Sequence, residues 1–243
     1  MLKGKSALVT GSTSGIGLGM AQALAAQGAN VMLNGFGRED EIAGLRARLE
    51  RDHGVEVAYS GADMSQPAQI REMVAQTIQK FGAVDILVNA VGGSTIIGKS
   101  GATVDELSFT DWQRLIDFNL SGTFLFTHAV VPVMKAQTSG KIVNPSSIAG
   151  RGLNISSSSA YAAAKGGIIA FTRKLAFELG PYGININAIA PSRTLTERIR
   201  PRWDQSSPED QQAEIGRTPL RRIAEAVDQA KVICFWHPAT PIL

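Results

Sequence analysis

The sequence is poor in the residues that build disulfides and metal centres. Cys234 is the only cysteine, and the three histidines, His53, His128 and His237, lie far apart in the chain. A single cysteine excludes an intrachain disulfide and a cysteine-built zinc site, and it is typical of a reducing compartment. We therefore expect a cytoplasmic protein without a bound metal.

Long apolar runs and a strong charge of one sign are also missing. No apolar run reaches the roughly 18 residues of a membrane span, and residues 1–5 lead into a strand pattern without the features of a signal peptide. The formal net charge is +3, without a basic tail. Neither a membrane nor a nucleic acid is therefore an expected partner.

Six short apolar stretches alternate with amphipathic helical patterns. This alternation predicts an α/β fold, a Rossmann-like doubly wound parallel sheet. No repeat or linker divides the chain, so we expect a single domain over residues 1–243. The predicted strands are 6–10, 30–34, 55–59, 85–89, 141–144 and 184–189, and the predicted helices are 18–27, 40–52, 67–80, 111–136, 161–180 and 224–236.

A glycine-rich turn follows the first predicted strand, with the sequence Gly11-Ser-Thr-Ser-Gly15-Ile-Gly17. Glycines allow a ligand to approach the backbone closely, and the free N–H groups of a helix N-terminus suit a pyrophosphate. The spacing differs from the G-x-G-x-x-G of most dinucleotide folds. A purely structural turn is the alternative.

The second predicted strand ends in Gly35-Phe36-Gly37-Arg38. Dinucleotide folds bind the ribose of NAD with an acidic residue at this point, or accommodate NADP with an arginine. Gly35 occupies the position expected for the acid, whereas Arg38 stands beside Glu39 and Asp40. The sequence therefore leaves NAD and NADP open.

Polar residues follow the next strands or interrupt a helix. Asp63, followed by Met64, could accept a hydrogen bond from an adenine amino group, or it could cap the helix that begins near Pro67. Asn119 lies inside a predicted helix, where asparagine is unfavourable, and is either functional or an ordinary polar position.

Tyr161 and Lys165 lie one turn apart on a predicted helix. A cation beside a phenol stabilises the phenolate and lowers the phenol pKa from about 10. A proton-transfer group works best when its pKa lies near the operating pH. The spacing therefore indicates a catalytic phenol with a lowered pKa, and the alternative is a surface lysine on an ordinary helix.

Residues 192–220, which we call the lid, form a long polar segment rich in arginine and proline. Long functional loops often close over a substrate. The arginines suggest an acidic substrate, such as a 3-hydroxy acid or an acyl thioester. Alternatively, they face water or pair with nearby acids. The arginines are Arg193, Arg198, Arg200, Arg202 and Arg217, and the acids are Glu197, Asp204, Glu209 and Asp210.

Together these motifs resemble the short-chain dehydrogenase/reductase family, in its single-domain branch, over about residues 3–236. The first 60 residues look like D-3-hydroxybutyrate dehydrogenases, and the middle looks like 3-oxoacyl-acyl-carrier-protein reductases. The residues that carry the resemblance are Thr10 to Gly17, Asp63, Asn89-Ala-Val-Gly92, Asn119, Ser147, Tyr161, Lys165 and Pro191.

The resemblance implies hydride transfer between a nicotinamide and a carbonyl or alcohol carbon of a small molecule. In this family Tyr161 would exchange a proton with the substrate oxygen and Lys165 would lower the tyrosine pKa and bind the nicotinamide ribose. Ser147, rather than Ser146, would orient the substrate, and Asn119 would hold a water that links Lys165 to solvent.

The resemblance also implies cofactor contacts and an oligomer. Helices 111–136 and 161–180 would form the surface of a homodimer or homotetramer. The residues expected to bind NAD or NADP are Gly11, Ser14, Gly15, Ile16, Gly17, Phe36, Arg38, Asp63, Met64, Asn89, Tyr161, Lys165, Pro191 and Thr196.

Three features depart from the family pattern. Asn89-Ala-Val-Gly92 replaces Asn-Asn-Ala-Gly, Ser192 replaces a glycine, and residues 237–243 contain two prolines where a seventh strand and a Gly-Gly tail are usual. Proline is unsuited to a central strand, so we expect six strands, which puts a tetramer in question.

Two other functions compete with an active oxidoreductase. The departures suggest a cofactor-binding sensor or interaction protein without turnover, although all four catalytic positions are kept. An epimerase or dehydratase of the extended branch fits poorly, because the glycine spacing and the length are those of the single-domain branch.

Overall fold

Six parallel strands form the central sheet of the computed structural model, which describes residues 1–152 and 157–235. The strand order is β3-β2-β1-β4-β5-β6, and every neighbouring pair is parallel. The strands are β1 (Ser6–Val9), β2 (Asn30–Asn34), β3 (Val57–Ser60), β4 (Ile86–Val88), β5 (Gly140–Pro145) and β6 (Ile184–Ile189).

Helices connect these strands, and a small second sheet lies in the C-terminal part. Its two strands, β7 (Thr194–Leu195) and β8 (Ala224–Glu225), are parallel. The helices are α1 (Gly15–Ala26), α2 (Glu39–His53), α3 (Pro67–Phe81), α4 (Phe109–Ile116), α5 (Gly122–Gln137), α6 (Ser159–Leu179), α7 (Arg200–Asp204), α8 (Pro208–Gly216) and α9 (Ala226–Phe235).

Both faces of the sheet are buried, because successive side chains of a strand point to opposite faces. Ala7 and Val9 pack into a core with α1, α2 and α9, whereas Leu8 between them packs into a second core with α3, α5 and α6. A parallel sheet covered on both sides gives near-continuous apolar strands. This explains why the short strand patterns could be predicted.

The strand order reverses between β1 and β4, which lie side by side in the sheet. Ligands of doubly wound sheets bind outside the carboxyl ends of the strands at such a point. Thr10 N donates to Val88 O at 2.9 Å. The turns that follow β1 and β4 therefore start next to each other at this edge.

The helix predicted over 111–136 is interrupted, so that prediction is wrong in its continuity. Between α4 and α5, residues Asp117–Ser121 form a π-helical turn, in which Gly122 N donates to Asp117 O five residues earlier. Such turns are rare and often occur at functional sites. The interruption lies around Asn119, where a mid-helix asparagine was already unfavourable.

The remaining differences are at element boundaries and in the lid. The strand predicted at 55–59 spans 57–60, and the helix predicted from residue 18 begins at Gly15. The lid contains β7, α7 and α8. The sheet of the described residues has six strands with β6 at one edge. Residues 237–243, with the expected loss of a seventh strand, lie outside the described residues.

Candidate active site

The ammonium of Lys165 lies in the protein interior near the centre of α6. Its residue is 4% exposed, and its Nζ donates to the carbonyl oxygen of Pro145, at the end of β5, at 3.0 Å. Burial lowers the pKa of Lys165 to about 8, because a low-dielectric environment disfavours the charged form. The alternative of a solvated surface lysine is therefore wrong.

Tyr161 lies one helical turn before Lys165, with its ring centroid 5.8 Å from Lys165 Nζ. The side chain of Ser147, which begins a short 3₁₀ turn after β5, lies close enough to the Tyr161 hydroxyl to lower its pKa. The neighbouring hydroxyl of Ser146 donates to Lys165 O at 2.7 Å. Ser147 is therefore the serine available beside the phenol, while Ser146 fixes the backbone of α6.

The lowered phenol pKa expected from the Tyr161–Lys165 spacing is not found in the structure. Burial raises the pKa of Tyr161, and this effect outweighs two opposing influences, the hydrogen bond from Ser147 and the positive charge of Arg198. The prediction was wrong because it counted the cation and left out desolvation of the phenolate, which disfavours the charged form. The positive charge that acts to lower the phenol pKa is that of Arg198.

Asn119 joins the π-helical turn between α4 and α5 to the turn that follows β4. Its Oδ1 accepts from Gly93 N at 3.0 Å, and its Nδ2 donates to Gly93 O at 3.1 Å and to Leu115 O at 2.9 Å. The side chain is fully buried. Asn119 thus holds the 92–93 turn in place, a role that the sequence did not reveal.

Gly92 lies where this turn meets the ammonium. A Cβ at Gly92 would come within 2.8 Å of Asn119 Oδ1 and 2.9 Å of Lys165 Nζ. No side chain fits at this separation without movement of one of the two groups. Asn119, Lys165 and the 92–93 backbone are therefore in direct contact, as three of the chemical groups at the carboxyl edge of the sheet.

The glycine-rich turn has the shape required for close approach of a phosphate. Gly15 has a φ of +59°, and a Cβ at Gly17 would collide with the carbonyl oxygen of Gly11. Ser14 is the N-cap of α1 and makes no side-chain capping bond, and Ile16 packs against the core. The turn therefore presents backbone N–H groups at the start of a 12-residue helix.

A carboxylate from the lid already uses one of these N–H groups. Gly15 N donates to Glu197 Oε2 at 3.1 Å, and the Thr196 methyl lies 3.6 Å from where a Cβ of Gly15 would be. An anion at a helix N-terminus is stabilised by the free N–H groups and the helix dipole. The turn therefore fits the pyrophosphate of a dinucleotide, with Thr196 beside it.

The residues expected at the adenosine end have other partners in this structure. Arg38 is paired with Asp40, at 2.6 Å between Nη2 and Oδ2, and Phe36 is exposed. Asp63 Oδ1 accepts from Ser65 N at 2.8 Å in the turn before α3. The N-cap of α3 is Gln66, so Asp63 is not the cap residue that one alternative expected. Met64 packs over Gly122 of α5.

Two further predicted cofactor residues hold the strand ends together. Asn89 is 2% exposed, and its Nδ2 donates to Asn144 Oδ1 at 2.8 Å and to Thr127 Oγ1 at 3.0 Å. Pro191 O accepts from Ile148 N at 3.1 Å, which ties the loop after β6 to the loop after β5. Both residues therefore lie at the carboxyl edge of the sheet, where a cofactor is expected, and both connect neighbouring strands or loops.

Among the lid arginines, the structure distinguishes one. Arg193 pairs with Glu214 and Arg200 with Glu225. These arginines do form ion pairs, but neither partner is among the four acids expected from the sequence. Arg198 instead lies over the 92–93 turn, with Nη1 and Nη2 at 3.4 and 3.5 Å from where a Cβ of Gly93 would be. The sequence marked it only as one arginine among several.

The chain belongs to the short-chain dehydrogenase family. The family model described as short chain dehydrogenase matches residues 5–207. The chain is 42% identical over 200 residues to D-beta-hydroxybutyrate dehydrogenase of Cupriavidus necator, covering 82% of this chain and 74% of that protein. It is 34% identical over 235 residues to a 3-oxoacyl-[acyl-carrier-protein] reductase of Staphylococcus epidermidis, covering 95% and 90%.

A solved structure agrees with this assignment. The crystal structure of levodione reductase superposes with a TM-score of 0.85 at 32% identity, covering 97% of this chain and 91% of that one. The protein is therefore an NAD- or NADP-dependent oxidoreductase that acts on a CH–OH group or the corresponding carbonyl. This sets aside the non-catalytic sensor and confirms the predicted family, fold class and type of cofactor.

Residues 1–152 and 157–235 contain neither a membrane-spanning helix nor a cluster of metal-binding side chains. No helix among them is both long and apolar enough to cross a membrane. No group of three or more His, Cys, Asp or Glu side chains among them is arranged to hold a metal ion.

We predict that Gly92→Ala lowers kcat at least tenfold without unfolding the protein, because the added Cβ pushes Asn119 or Lys165 out of place. Gly98→Ala, in the same loop, is the matched control, since its Cβ would meet nothing within 4 Å. Steady-state kinetics and thermal unfolding of both variants test this. Equal kcat in the two variants would contradict the close approach.

The burial of Lys165 predicts how stability depends on pH. Its pKa is about 8 in the folded protein and 10.5 as the ordinary value, so the unfolded chain binds more protons between these pH values. The contribution of Lys165 to the unfolding free energy therefore rises from pH 8 to 10.5. Lys165→Met should remove this rise, on the order of 3 kcal/mol.

The measurement is urea unfolding of the wild type and of Lys165→Met at several pH values between 7 and 10.5. Lys174→Met, at an exposed position of α6, should keep the wild-type pH dependence. If the difference between the wild type and Lys165→Met does not change with pH, Lys165 is not the buried cation described above.

Proposed function

We propose that this dehydrogenase interconverts a 3-oxo and a 3-hydroxy acid, or the corresponding acyl thioester. The contact between Ser147 and Tyr161 beside the buried Lys165 carries the catalytic part of this proposal. The substrate class is supported by the acid named in the Cupriavidus relative and the acyl thioester named in the Staphylococcus relative.

From these positions we assign each catalytic group a role. The substrate oxygen binds between the hydroxyls of Ser147 and Tyr161, which can both donate to it. In reduction Tyr161 gives its proton to that oxygen, and in oxidation its phenolate takes the proton from the alcohol. A bound nicotinamide supplies the hydride donor or acceptor. Asn119 keeps the 92–93 turn against Lys165.

The groups around Tyr161 determine how readily its phenol loses a proton. Tyr161 is desolvated, which alone raises its pKa and keeps it protonated. The Ser147 hydrogen bond and the Arg198 charge act in the opposite direction. A ligand that brings the ammonium of Lys165 and the phenol into one hydrogen-bonded system would add to this effect, since a nearby cation favours the phenolate.

We propose the turn at Gly11, Ser14, Gly15, Ile16 and Gly17 as the pyrophosphate site. The carboxylate of Glu197 on Gly15 N supports this, because it shows that the turn accepts an anion. We place Thr196 and Pro191 toward the nicotinamide and Phe36, Arg38, Asp63, Met64 and Asn89 toward the adenosine half. A single cofactor-binding domain over residues 1–243 is part of the same proposal, supported by the single large sheet.

We further propose a homodimer or homotetramer that buries one face of α5 and α6. Phe177 is 84% exposed and Phe124 48% exposed, and Phe124 contacts the rings of His128 and Phe171 at 5.5 and 6.2 Å between centroids. Exposed aromatic side chains that cluster on one surface indicate an interaction site. A second copy of this chain can present the same helices, as in an isologous dimer.

Removal of the phenol oxygen tests the catalytic assignment. We predict that Tyr161→Phe lowers kcat by about 10² to 10⁴, the usual contribution of a general acid or base, while NADH or NADPH still binds. The control is Tyr182→Phe, a half-exposed tyrosine of the loop before β6. Activity that survives in Tyr161→Phe would contradict the assignment of the acid.

Sedimentation equilibrium tests the oligomer. The double variant Phe124→Glu and Phe177→Glu should have a lower mass than the wild type, because charges are costly in a dry interface. Leu220→Glu, an exposed lid residue, should leave the mass unchanged. If the double variant keeps the wild-type mass, α5 and α6 do not form the contact.

A further inference from the structure

The lid brings one arginine to the catalytic end of the cleft. Arg198 Nη1 and Nη2 lie 3.4 and 3.5 Å from where a Cβ of Gly93 would be, so the guanidinium rests on the turn that Asn119 holds. The same side chain is near enough to Tyr161 for its charge to act on the phenol. The guanidinium therefore contacts the 92–93 turn and lies within electrostatic range of the Tyr161 hydroxyl.

The backbone around Arg198 is fixed on both sides. Thr196 O accepts from Ile199 N at 2.9 Å and from Arg200 N at 2.8 Å, which closes a turn with Arg198 inside it. Before this turn, β7 pairs with β8, and after it Arg200 pairs with Glu225 at 3.3 Å. The backbone position of Arg198 is thus set by contacts that do not include its own guanidinium.

The guanidinium makes no ion pair among the described residues, whereas Arg193, Arg200 and Arg217 each do. The five N–H donors of the guanidinium are therefore available to a ligand beside the 92–93 turn. Guanidinium groups bind carboxylates with two parallel hydrogen bonds. An acidic substrate is the ligand that this chemistry recognises.

We infer that Arg198 binds the carboxylate of the substrate and so selects a free 3-oxo or 3-hydroxy acid over its neutral esters and thioesters. This rests on the proposed function, since it takes the substrate oxygen to lie at Ser147 and Tyr161. The new element is a preference for the free acid over the acyl thioester. With the carboxylate on Arg198, the carbonyl of a 3-oxo acid is directed toward the phenol.

The same geometry gives Arg198 a second effect. Since its positive charge lowers the pKa of the Tyr161 phenol, a neutral residue at position 198 should move the activity profile for alcohol oxidation to higher pH. A residue that only shaped the lid would not change the titration of Tyr161. The pH profile therefore separates an electrostatic role from a structural one.

Acetoacetate and its uncharged methyl ester are the probes, because both carry the same 3-oxo group. We expect Arg198→Gln to raise the KM for acetoacetate at least tenfold and to leave the KM for the ester within about twofold. Arg198→Lys should retain part of the preference, since it keeps the charge and loses the fork. Arg202→Gln, which removes another arginine without an ion pair among the described residues, is the matched control.

A binding measurement makes the result independent of turnover. Acetoacetate is titrated into the protein that is saturated with the oxidised cofactor, where no reduction can occur. We expect the Kd to rise at least tenfold in Arg198→Gln and to stay unchanged in Arg202→Gln. Binding that depends on Arg198 without any turnover would overturn the proposed reaction and leave the carboxylate site standing.

Three results would overturn the inference about Arg198. The first is an unchanged Kd and KM for acetoacetate in Arg198→Gln, and the second is an equal loss for the acid and the ester. The third is a wild-type protein that binds acetoacetate no better than its ester. In the last two cases Arg198 shapes the lid and does not recognise a charge.

Discussion

The arrangement of the site depends on burying the ammonium of Lys165. A charge away from water is costly unless polar groups compensate for it, and here the compensation comes from the carbonyl of Pro145 at the end of β5. Because that carbonyl has a fixed place in the sheet, the ammonium has one too. Tyr161, one turn earlier on α6, takes its position from the same contact.

The neighbouring elements are built around that buried charge. Gly92 allows the turn after β4 to approach within contact of the ammonium, and Asn119 holds that turn through both atoms of its amide. The π-helical turn at Asp117–Ser121 accompanies this contact: Asn119 Nδ2 donates to Leu115 O, one turn before it. The irregular helix, the glycine and the asparagine are therefore parts of one structural solution.

The sequence was sufficient for the fold class and for the family. Apolar strands buried on both faces and the glycine turn after β1 are local patterns, and the i, i+4 spacing of Tyr161 and Lys165 follows from helix geometry alone. The pKa of Tyr161 was predicted in the wrong direction, because the extent of burial depends on elements far apart in the chain. The partner of Asn119 and Arg198 could not be predicted for the same reason. Both contact Gly93, which lies 26 residues before Asn119 and in a different loop from Arg198.

Three consecutive lid residues contact both turns at the switch point of the sheet. Thr196 and Glu197 lie against Gly15, and Arg198 lies against Gly93.

The Glu197 carboxylate uses an N–H group that a pyrophosphate would need, so a bound cofactor would have to displace it. The lost hydrogen bond to a charged group contributes about 1.5 to 3 kcal/mol, but it is exposed to water, and the pyrophosphate would replace it with a bond of the same kind. Arg198 is held by the turn at Thr196 and by the ion pair of Arg200 instead, so this exchange leaves its anchors in place. In the proposals made above, Glu197 lies where the charge of the cofactor would bind, and Arg198 beside it lies where the charge of the substrate would bind.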